Sequence, residues 1–175
     1  MKSRQPLSIE ITRGPITESV HQVIFVVADR KGHVVDHYGN LDYVCPPRSA
    51  LKLLQAIPLV ESGAADAFKL HDKHIVLACA SHKAEKHHID AAREWLGLIN
   101  QTESVLRCGP ALPTNSALSH NCSGKHLGLV TTALHAKVDP ANYDKYEHPI
   151  QEIQRRVMSD IFSLEFSKLP YGGDG

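Results

Sequence analysis

The sequence lacks the features that mark several common functional classes. It has no surplus of either charge, because Lys plus Arg and Asp plus Glu each total 19. We therefore expect no nucleic-acid partner and no membrane-surface partner. The longest apolar run, residues 23–28, is too short to cross a bilayer. The polar first residues lead into no apolar segment, so we expect no secretory signal.

Paired metal motifs and phosphate motifs are also missing. The chain contains no Cys-x-x-Cys and no His-Glu-x-x-His, which argues against a zinc ribbon and against a zincin protease. It has no glycine-rich phosphate loop either. The four cysteines are widely spaced, at Cys45, Cys79, Cys108 and Cys122. Without a signal peptide, we expect reduced thiols or metal ligands rather than a disulfide framework.

What is present is the composition of an ordinary folded protein, with 42% hydrophobic and 22% charged residues. Residues 21–29 are rich in Val, Ile and Phe, and we predict that they form a buried strand. A turn at Lys31-Gly32 then returns residues 33–38 as the second strand of a β-hairpin.

Most of the remaining chain has helical character. Helices are predicted over residues 49–57, 84–98 and 126–136, and from Pro149 onward. The apolar residues 75–80 are compatible with either a strand or a helix. A hairpin among many helices indicates an α/β fold of the layered α+β kind, in a single domain over residues 1–175.

The sharpest catalytic candidate is the segment Ser49-Ala50-Leu51-Lys52. On a helix, residues i and i+3 share one face, so Lys52 would lie within reach of the Ser49 hydroxyl. Serine becomes a good nucleophile when a neighbour takes its proton, and a lysine accepts that proton only as the uncharged amine. About one such pair is expected by chance in a chain of this composition. A surface lysine beside a helix-capping serine is therefore the alternative.

Ser81 and His82 form a second candidate, at the end of the apolar residues 75–80. A hydroxyl at the end of a buried element is well placed to relay a proton. A helix cap or an ordinary turn residue is the alternative interpretation.

A third candidate is the polar cluster of residues 120–126, directly before an amphipathic helix. The free N–H groups of a helix start favour an anion. Cys122, with His120 or His126, also offers ligands to zinc. A complete structural zinc site needs four ligands, so only a partial site can be predicted here. A buried structural cysteine with capping neighbours remains the alternative.

Taken in chain order, these segments resemble the motifs of the asparaginase II family, the zinc-containing, Rhizobium-type L-asparaginases. The matching segments are Arg48-Ser49-Ala50-Leu51-Lys52, residues 55–63, Cys79-Ala80-Ser81-His82 with Glu85, Leu106-Arg107-Cys108-Gly109, residues 121–126, Tyr143, His148-Pro149, Gln151 and Gly173-Asp174-Gly175. Each match is weak alone, and their order along the chain makes the set specific.

The resemblance implies a fold similar to serine β-lactamases and serine glutaminases. It implies hydrolysis of the side-chain amide of L-asparagine to L-aspartate and ammonia, by a cytoplasmic homodimer. On that reading Ser49 is the nucleophile, Lys52 is its general base, and Ser81 passes protons between the base and the leaving amine.

The same resemblance implies roles for five more residues. Arg48 is expected to hold the substrate carboxylate, Asp174 its ammonium group, and His126 to take part in substrate binding. Cys122 and Lys125 correspond to zinc ligands. An ammonium has no lone pair, so Lys125 can bind zinc only after it loses a proton or is modified.

The sequence also departs from the family pattern. It corresponds to the N-terminal portion, so we expect the C-terminal half to be missing, with a further active-site lysine and the last zinc cysteine. Residues 110–119 are shorter than usual, and Lys83-Ala84 replaces a pair of small residues. The alternatives are therefore an inactive fragment or pseudoenzyme that acts as a binding module, another β-lactamase-like or glutaminase-like serine amidohydrolase, and a small zinc module built on Cys122.

Overall fold

A computed structural model describes residues 4–169, except for the side chain of Lys168. The predicted substrate residue Asp174 lies outside the described residues. The chain divides into two compact units, Met1–Pro46 and Pro47–Gly175, and each is described by itself. The single domain over residues 1–175 stays a prediction.

The first unit is built from two antiparallel hairpins. Strands β1 (Leu7–Arg13) and β2 (Ile16–Val23) form one two-stranded sheet. Strands β3 (Phe25–Ala28) and β4 (Val34–Tyr38) form another.

The predicted hairpin around Lys31-Gly32 is confirmed, because β3 and β4 pair across that turn. The prediction of one buried strand over residues 21–29 is wrong in two respects. The strand is interrupted at Ile24, and its valines are open to solvent, with Val26 54% exposed. A sheet of two strands has little to pack on either face, so strong strand formers there are paired without being buried.

The second unit carries seven α-helices within the described residues. They are α1 (Lys52–Gln55), α2 (Ile57–Glu61), α3 (Ala64–Ala67), α4 (Asp72–Cys79), α5 (Lys86–Leu98), α6 (Ser123–His135) and α7 (Pro149–Phe162). Short 3₁₀ helices span Arg48–Leu51, Glu103–Val105, Ala117–Ser119 and Phe166–Lys168. Together with the two small sheets, this is a mixed α/β structure compatible with the α+β class. Within the described part, no helix has the length and apolar character needed to span a bilayer.

The core of this unit forms around α6, which is buried along almost its whole length. Helices α4 and α5 pack against it and contribute Leu77, Ala92 and Trp95 to the same apolar cluster. Trp95 is fully buried, and its indole N–H donates to the Thr131 hydroxyl at 2.9 Å. The indole therefore enters the core without leaving a polar group unsatisfied.

The predicted helices are confirmed with shifted boundaries. Pro58 stands near the start of α2, so the predicted helix over residues 49–57 is divided into a 3₁₀ turn followed by α1 and α2. Residues 75–80 prove to be mostly helical, as part of α4. Helix α5 begins at Lys86 because Glu85 and His88 form a capping box there.

Two glycines allow a test that separates the effect of available space on stability from the effect of backbone conformation. A Cβ at Gly97, in α5, or at Gly63, before α3, would meet no atom within 4 Å. Gly63 has a positive φ of 79°, whereas Gly97 has ordinary helical geometry. We expect Gly97→Ala to raise the free energy of unfolding by up to about 1 kcal/mol. Gly63→Ala should lower it by about 1–2 kcal/mol. Urea denaturation of both variants checks this, and a stabilised Gly63→Ala variant would contradict the assignment.

Candidate active site

Three chain segments meet in the second unit: the 3₁₀ turn Arg48–Leu51 with α1, the end of α4, and the start of α6. Gly124 makes this meeting possible. A Cβ on Gly124 would lie 2.1 Å from the carbonyl oxygen of Leu77 in α4, so only glycine lets these helices approach so closely. The approach brings the Ala80-Ser81 segment beside the residues that precede α6.

Lys52 ties these segments together. Only 2% of its surface is exposed. Its Nζ donates to the Ala80 carbonyl at 2.9 Å, to the Ser81 hydroxyl at 2.8 Å and to the Asn121 carbonyl at 3.1 Å. The amine is therefore surrounded by three oxygens from two other segments, which satisfy the hydrogen bonds of this buried polar group.

The three oxygens differ in whether they can donate a hydrogen bond to an uncharged amine. The carbonyls of Ala80 and Asn121 only accept hydrogen bonds, whereas the Ser81 hydroxyl can donate or accept. An uncharged Lys52 keeps two protons, which satisfy the two carbonyls. Its lone pair then faces the Ser81 hydroxyl, which can donate to it. The geometry thus gives Lys52 a defined direction for accepting a proton.

Ser49 lies on the same side of the chain as Lys52. The backbone N–H of Lys52 bonds to the Ser49 carbonyl, and residues three apart in a 3₁₀ turn eclipse one another. Ser49 is exposed, and within residues 4–169 its hydroxyl makes no hydrogen bond. Ser81 is exposed as well. The structure therefore encloses the amine and leaves both hydroxyls exposed.

Arg48, directly before the candidate nucleophile, has an unusual backbone. Its φ is 50°, in the left-handed region, although it is not a glycine. Its side chain is exposed. Such a conformation costs about 1–2 kcal/mol for an L-residue, and strain of this kind tends to gather at functional sites.

His82 anchors the end of α4 to the start of α6. Its Nδ1 accepts from the backbone N–H of Ala84 at 3.1 Å, so the proton of the neutral ring sits on Nε2. That nitrogen donates to the Ser123 hydroxyl at 2.8 Å, which donates in turn to the Leu118 carbonyl at 3.2 Å. Burial, reinforced by His88 and Lys52, lowers the pKa of His82 to about 4. The ring therefore stays neutral at physiological pH.

A second buried histidine follows on α6. His126 is 1% exposed, and its Nδ1 lies 2.6 Å from the Tyr143 hydroxyl. That hydroxyl also accepts from the backbone N–H of Arg107 at 2.9 Å. Burial, together with the Lys125 charge, lowers the pKa of His126 to about 3. Burial also raises the pKa of Tyr143, so this pair is neutral over the physiological range.

Cys122 and Lys125 are the residues that could hold a metal. They stand three positions apart where α6 begins and are 8% and 5% exposed. The Cys122 thiol contacts the Asn121 side-chain oxygen at 3.5 Å. A thiolate and an uncharged amine are donors that suit zinc, so this pair offers two of the four ligands that a tetrahedral site needs. Within residues 4–169, the one cluster of three His, Cys or carboxylate ligands lies elsewhere, at Glu85, His87 and His88.

The structure brings together some of the residues predicted from the sequence. Lys52 and Ser81 are in contact, and Ser49 lies one 3₁₀ turn from Lys52. Sequence analysis missed the Ala80 and Asn121 carbonyls, because backbone oxygens leave no signal in side-chain identity. It also missed that His126 is paired with Tyr143, whose only sequence signal was its place in a family motif.

Comparison with known proteins agrees with these motifs. A profile of the L-asparaginase II family matches residues 9–175, nearly the whole chain. No curated protein gives a significant match. The matched range includes all three segments that meet around Lys52.

Proposed function

Because the chain belongs to the L-asparaginase II family, we propose that it hydrolyses the side-chain amide of L-asparagine to L-aspartate and ammonia. The observation that carries the proposal is the buried Lys52 amine, 2.8 Å from the Ser81 hydroxyl and one turn from Ser49. It supports a serine nucleophile whose proton passes to Lys52, directly or through Ser81.

In the first half of the reaction the Ser49 hydroxyl loses its proton to the uncharged Lys52 amine, directly or through Ser81. The serine oxygen attacks the amide carbon, and the carbonyl oxygen becomes a negatively charged tetrahedral oxyanion. Backbone N–H donors stabilise such oxyanions, each contributing about 2.7–4 kcal/mol. The C–N bond then breaks, and the Lys52 ammonium returns its proton through Ser81 to the leaving nitrogen, which departs as ammonia.

In the second half the acyl group is an ester on Ser49. A water molecule gives a proton to the now uncharged Lys52 and attacks the ester carbon. The ester bond breaks, the proton returns to the Ser49 oxygen, and aspartate is released. The same amine serves as base in both halves, because each half ends with Lys52 uncharged.

Substrate contacts belong to the proposal as well. Arg48, exposed and next to the proposed nucleophile in the sequence, would form a bidentate contact with the substrate carboxylate. His126 contributes a buried ring to the same helix start, and we assign Asp174 to the substrate ammonium group. Cys122 and Lys125 would hold zinc, which would supply a fixed positive charge there. None of the steps above depends on it.

The family also motivates the finer structural proposals. We propose the serine β-lactamase and glutaminase type of fold, a homodimer and a cytoplasmic location. The four cysteines are free thiols, which fits a reducing compartment. Size-exclusion chromatography with light scattering tests the dimer.

The decisive experiment is ammonia release from L-asparagine by the chain and by Ser49→Ala. We expect the substitution to lower kcat by about 10³-fold or more, because it removes the atom that forms the acyl-enzyme. Ser104→Ala is the matched control, since Ser104 is exposed and holds the second position of another 3₁₀ turn. It should leave kcat unchanged.

The same assay separates the rival functions. A folded chain that releases no ammonia from asparagine would be an inactive fragment or a binding module. Activity on glutamine or on a chromogenic β-lactam, without activity on asparagine, would indicate another serine amidohydrolase. Equal activity of Ser49→Ala and the unmodified chain would remove Ser49 as the nucleophile.

A further inference from the structure

The pair formed by His126 and Tyr143 determines which nitrogen of His126 carries a proton. The Tyr143 oxygen accepts the backbone N–H of Arg107 at 2.9 Å, and a backbone N–H can only donate. The phenolic proton must therefore point elsewhere. His126 Nδ1, at 2.6 Å, is the acceptor within reach. Tyr143 thus donates to Nδ1, and the proton of the neutral ring is left on Nε2.

The opposite assignment leaves a buried proton without an acceptor. If Nδ1 carried a proton, the Tyr143 oxygen would accept from both Arg107 and His126, and its own proton would have no partner. An unsatisfied buried donor is costly, so hydrogen-bond counting favours the Nε2–H form. Tyr143 is itself fully buried, which removes solvent as an alternative acceptor.

The Nε2 atom of His126 ends the series of hydrogen bonds that runs from Arg107 through Tyr143 to the ring. It is buried and has no hydrogen-bond partner among the described residues. The titratable groups that act on the ring are Lys125, His120 and Lys52, and none of them is a carboxylate. An N–H donor in such surroundings suits an acceptor oxygen of a bound molecule, and it does not suit an ammonium group.

We propose that Tyr143 is a positioning residue that holds His126 as a fixed Nε2–H donor for a carboxylate or carbonyl oxygen of the substrate. The proposal rests on the proposed function for the identity of the substrate. The position of the proton on the His126 ring does not rest on the proposed function, because it follows from hydrogen bonds within the protein.

His74 shows why the surroundings matter. Its Nδ1 also accepts a backbone N–H, from His71 at 3.0 Å, so its Nε2 is also protonated. Both Nε2 atoms are buried without a hydrogen-bond partner among the described residues. The Nε2 of His74 nevertheless has a carboxylate oxygen of Glu94 3.6 Å away, whereas no carboxylate is among the groups that act on the His126 ring.

The first measurement needs no variant. Long-range ¹H–¹⁵N NMR of the ¹⁵N-labelled chain at neutral pH reports which ring nitrogen carries the proton, and loss of signals in His126→Gln assigns the ring. We expect an unprotonated Nδ1 and a protonated Nε2. A ring protonated at Nδ1 would overturn the proposal, whether or not any variant folds.

The second measurement uses Tyr143→Phe and a binding readout that needs no turnover. Without the phenolic donor, both tautomers of His126 should be populated, and the separation of its two ¹⁵N shifts should shrink. The Kd for L-aspartate, read from the His126 Nε2 shift, should rise about twofold or more, because only the rings that carry the Nε2 proton can bind. An unchanged tautomer or an unchanged Kd would contradict the proposal.

Trp95→Phe is the matched control. It removes a different buried aromatic hydrogen bond, the one to Thr131. It should leave the Kd and the His126 tautomer unchanged, because the hydrogen bond between Tyr143 and His126 is kept. A chain that binds aspartate through His126 but releases no ammonia from asparagine would refute the proposed function and leave this inference intact.

Discussion

Lys52→Met should lower kcat for asparagine by about 10³-fold or more, because it removes the group that takes the Ser49 proton. Methionine matches the length and volume of the lysine stem, so the core around it stays filled. The carbonyls of Ala80 and Asn121 lose their donor, and we expect a loss of about 1–3 kcal/mol in the free energy of unfolding. Ammonia release measures the first effect, and urea denaturation measures the second.

One further substitution, Lys52→Arg, separates the role of Lys52 as a base from its role as a cation. Lys52→Arg keeps a positive charge that cannot be given up at any accessible pH. If Lys52 acts as a base, the arginine variant should be as inactive as the methionine variant. If the charge alone matters, the arginine variant should retain much of the activity.

Lys73→Met is the control for the loss of a lysine. Lys73 is exposed on α4 and pairs with Glu94, away from the three segments that meet at Lys52. Exposed ion pairs contribute roughly 0–1 kcal/mol, so neither kcat nor stability should change much. Normal turnover by a folded Lys52→Met variant would show that another group activates the nucleophile.

Among the glycines that the structure describes, Gly124 should be the one least tolerant of replacement by alanine. The added Cβ would lie 2.1 Å from the Leu77 carbonyl oxygen and 2.5 Å from its carbon. These are backbone atoms of α4, so no side chain can turn aside and the helices must separate. Overpacking typically costs about 1–3 kcal/mol, and this contact belongs at or above the upper end.

The same substitution should also abolish hydrolysis. The Ala80-Ser81 segment follows α4, and Asn121 precedes α6, so separating the helices pulls apart the oxygens that surround Lys52. Activity should therefore fall even under conditions in which the variant is folded. Circular dichroism and ammonia release on the same sample test this link.

Gly128→Ala is the control within the same helix. Gly128 is also buried in α6, but an added Cβ would meet side-chain atoms at 3.6 and 3.8 Å, which is ordinary contact. Since alanine favours helix by about 1 kcal/mol over glycine, this variant should be at least as stable as the unmodified chain. Equal stability of the two variants would show that α4 and α6 do not approach as closely as described.

Local sequence patterns were sufficient for most of the helices. Caps and apolar stripes located α5, α6 and α7, because both signals depend on residues within a few positions of one another. The first strand could have been found in the same way. Residues 7–13 alternate apolar and polar side chains, and Gly14-Pro15 supplies the turn into β2. The local pattern of residues 7–23 was therefore sufficient to predict the hairpin of β1 and β2.

Local sequence patterns predicted the burial of side chains less well. The valines of β3 resemble a buried strand, yet they are exposed, since burial depends on what packs against a strand. The short apolar segment of residues 75–80 was likewise compatible with a strand or a helix, and the structure shows it as part of α4, which packs on α6.

The sequence by itself determined the family, the helices and the identity of the candidate nucleophile and base, because these depend on residue type and on spacings of a few positions. Only the tertiary structure decided that the Lys52 amine is buried among oxygens 28 to 69 residues away along the chain. It also decided that His126 is held by Tyr143. Such contacts depend on backbone atoms and on the packing of distant helices, which no local pattern of side chains encodes.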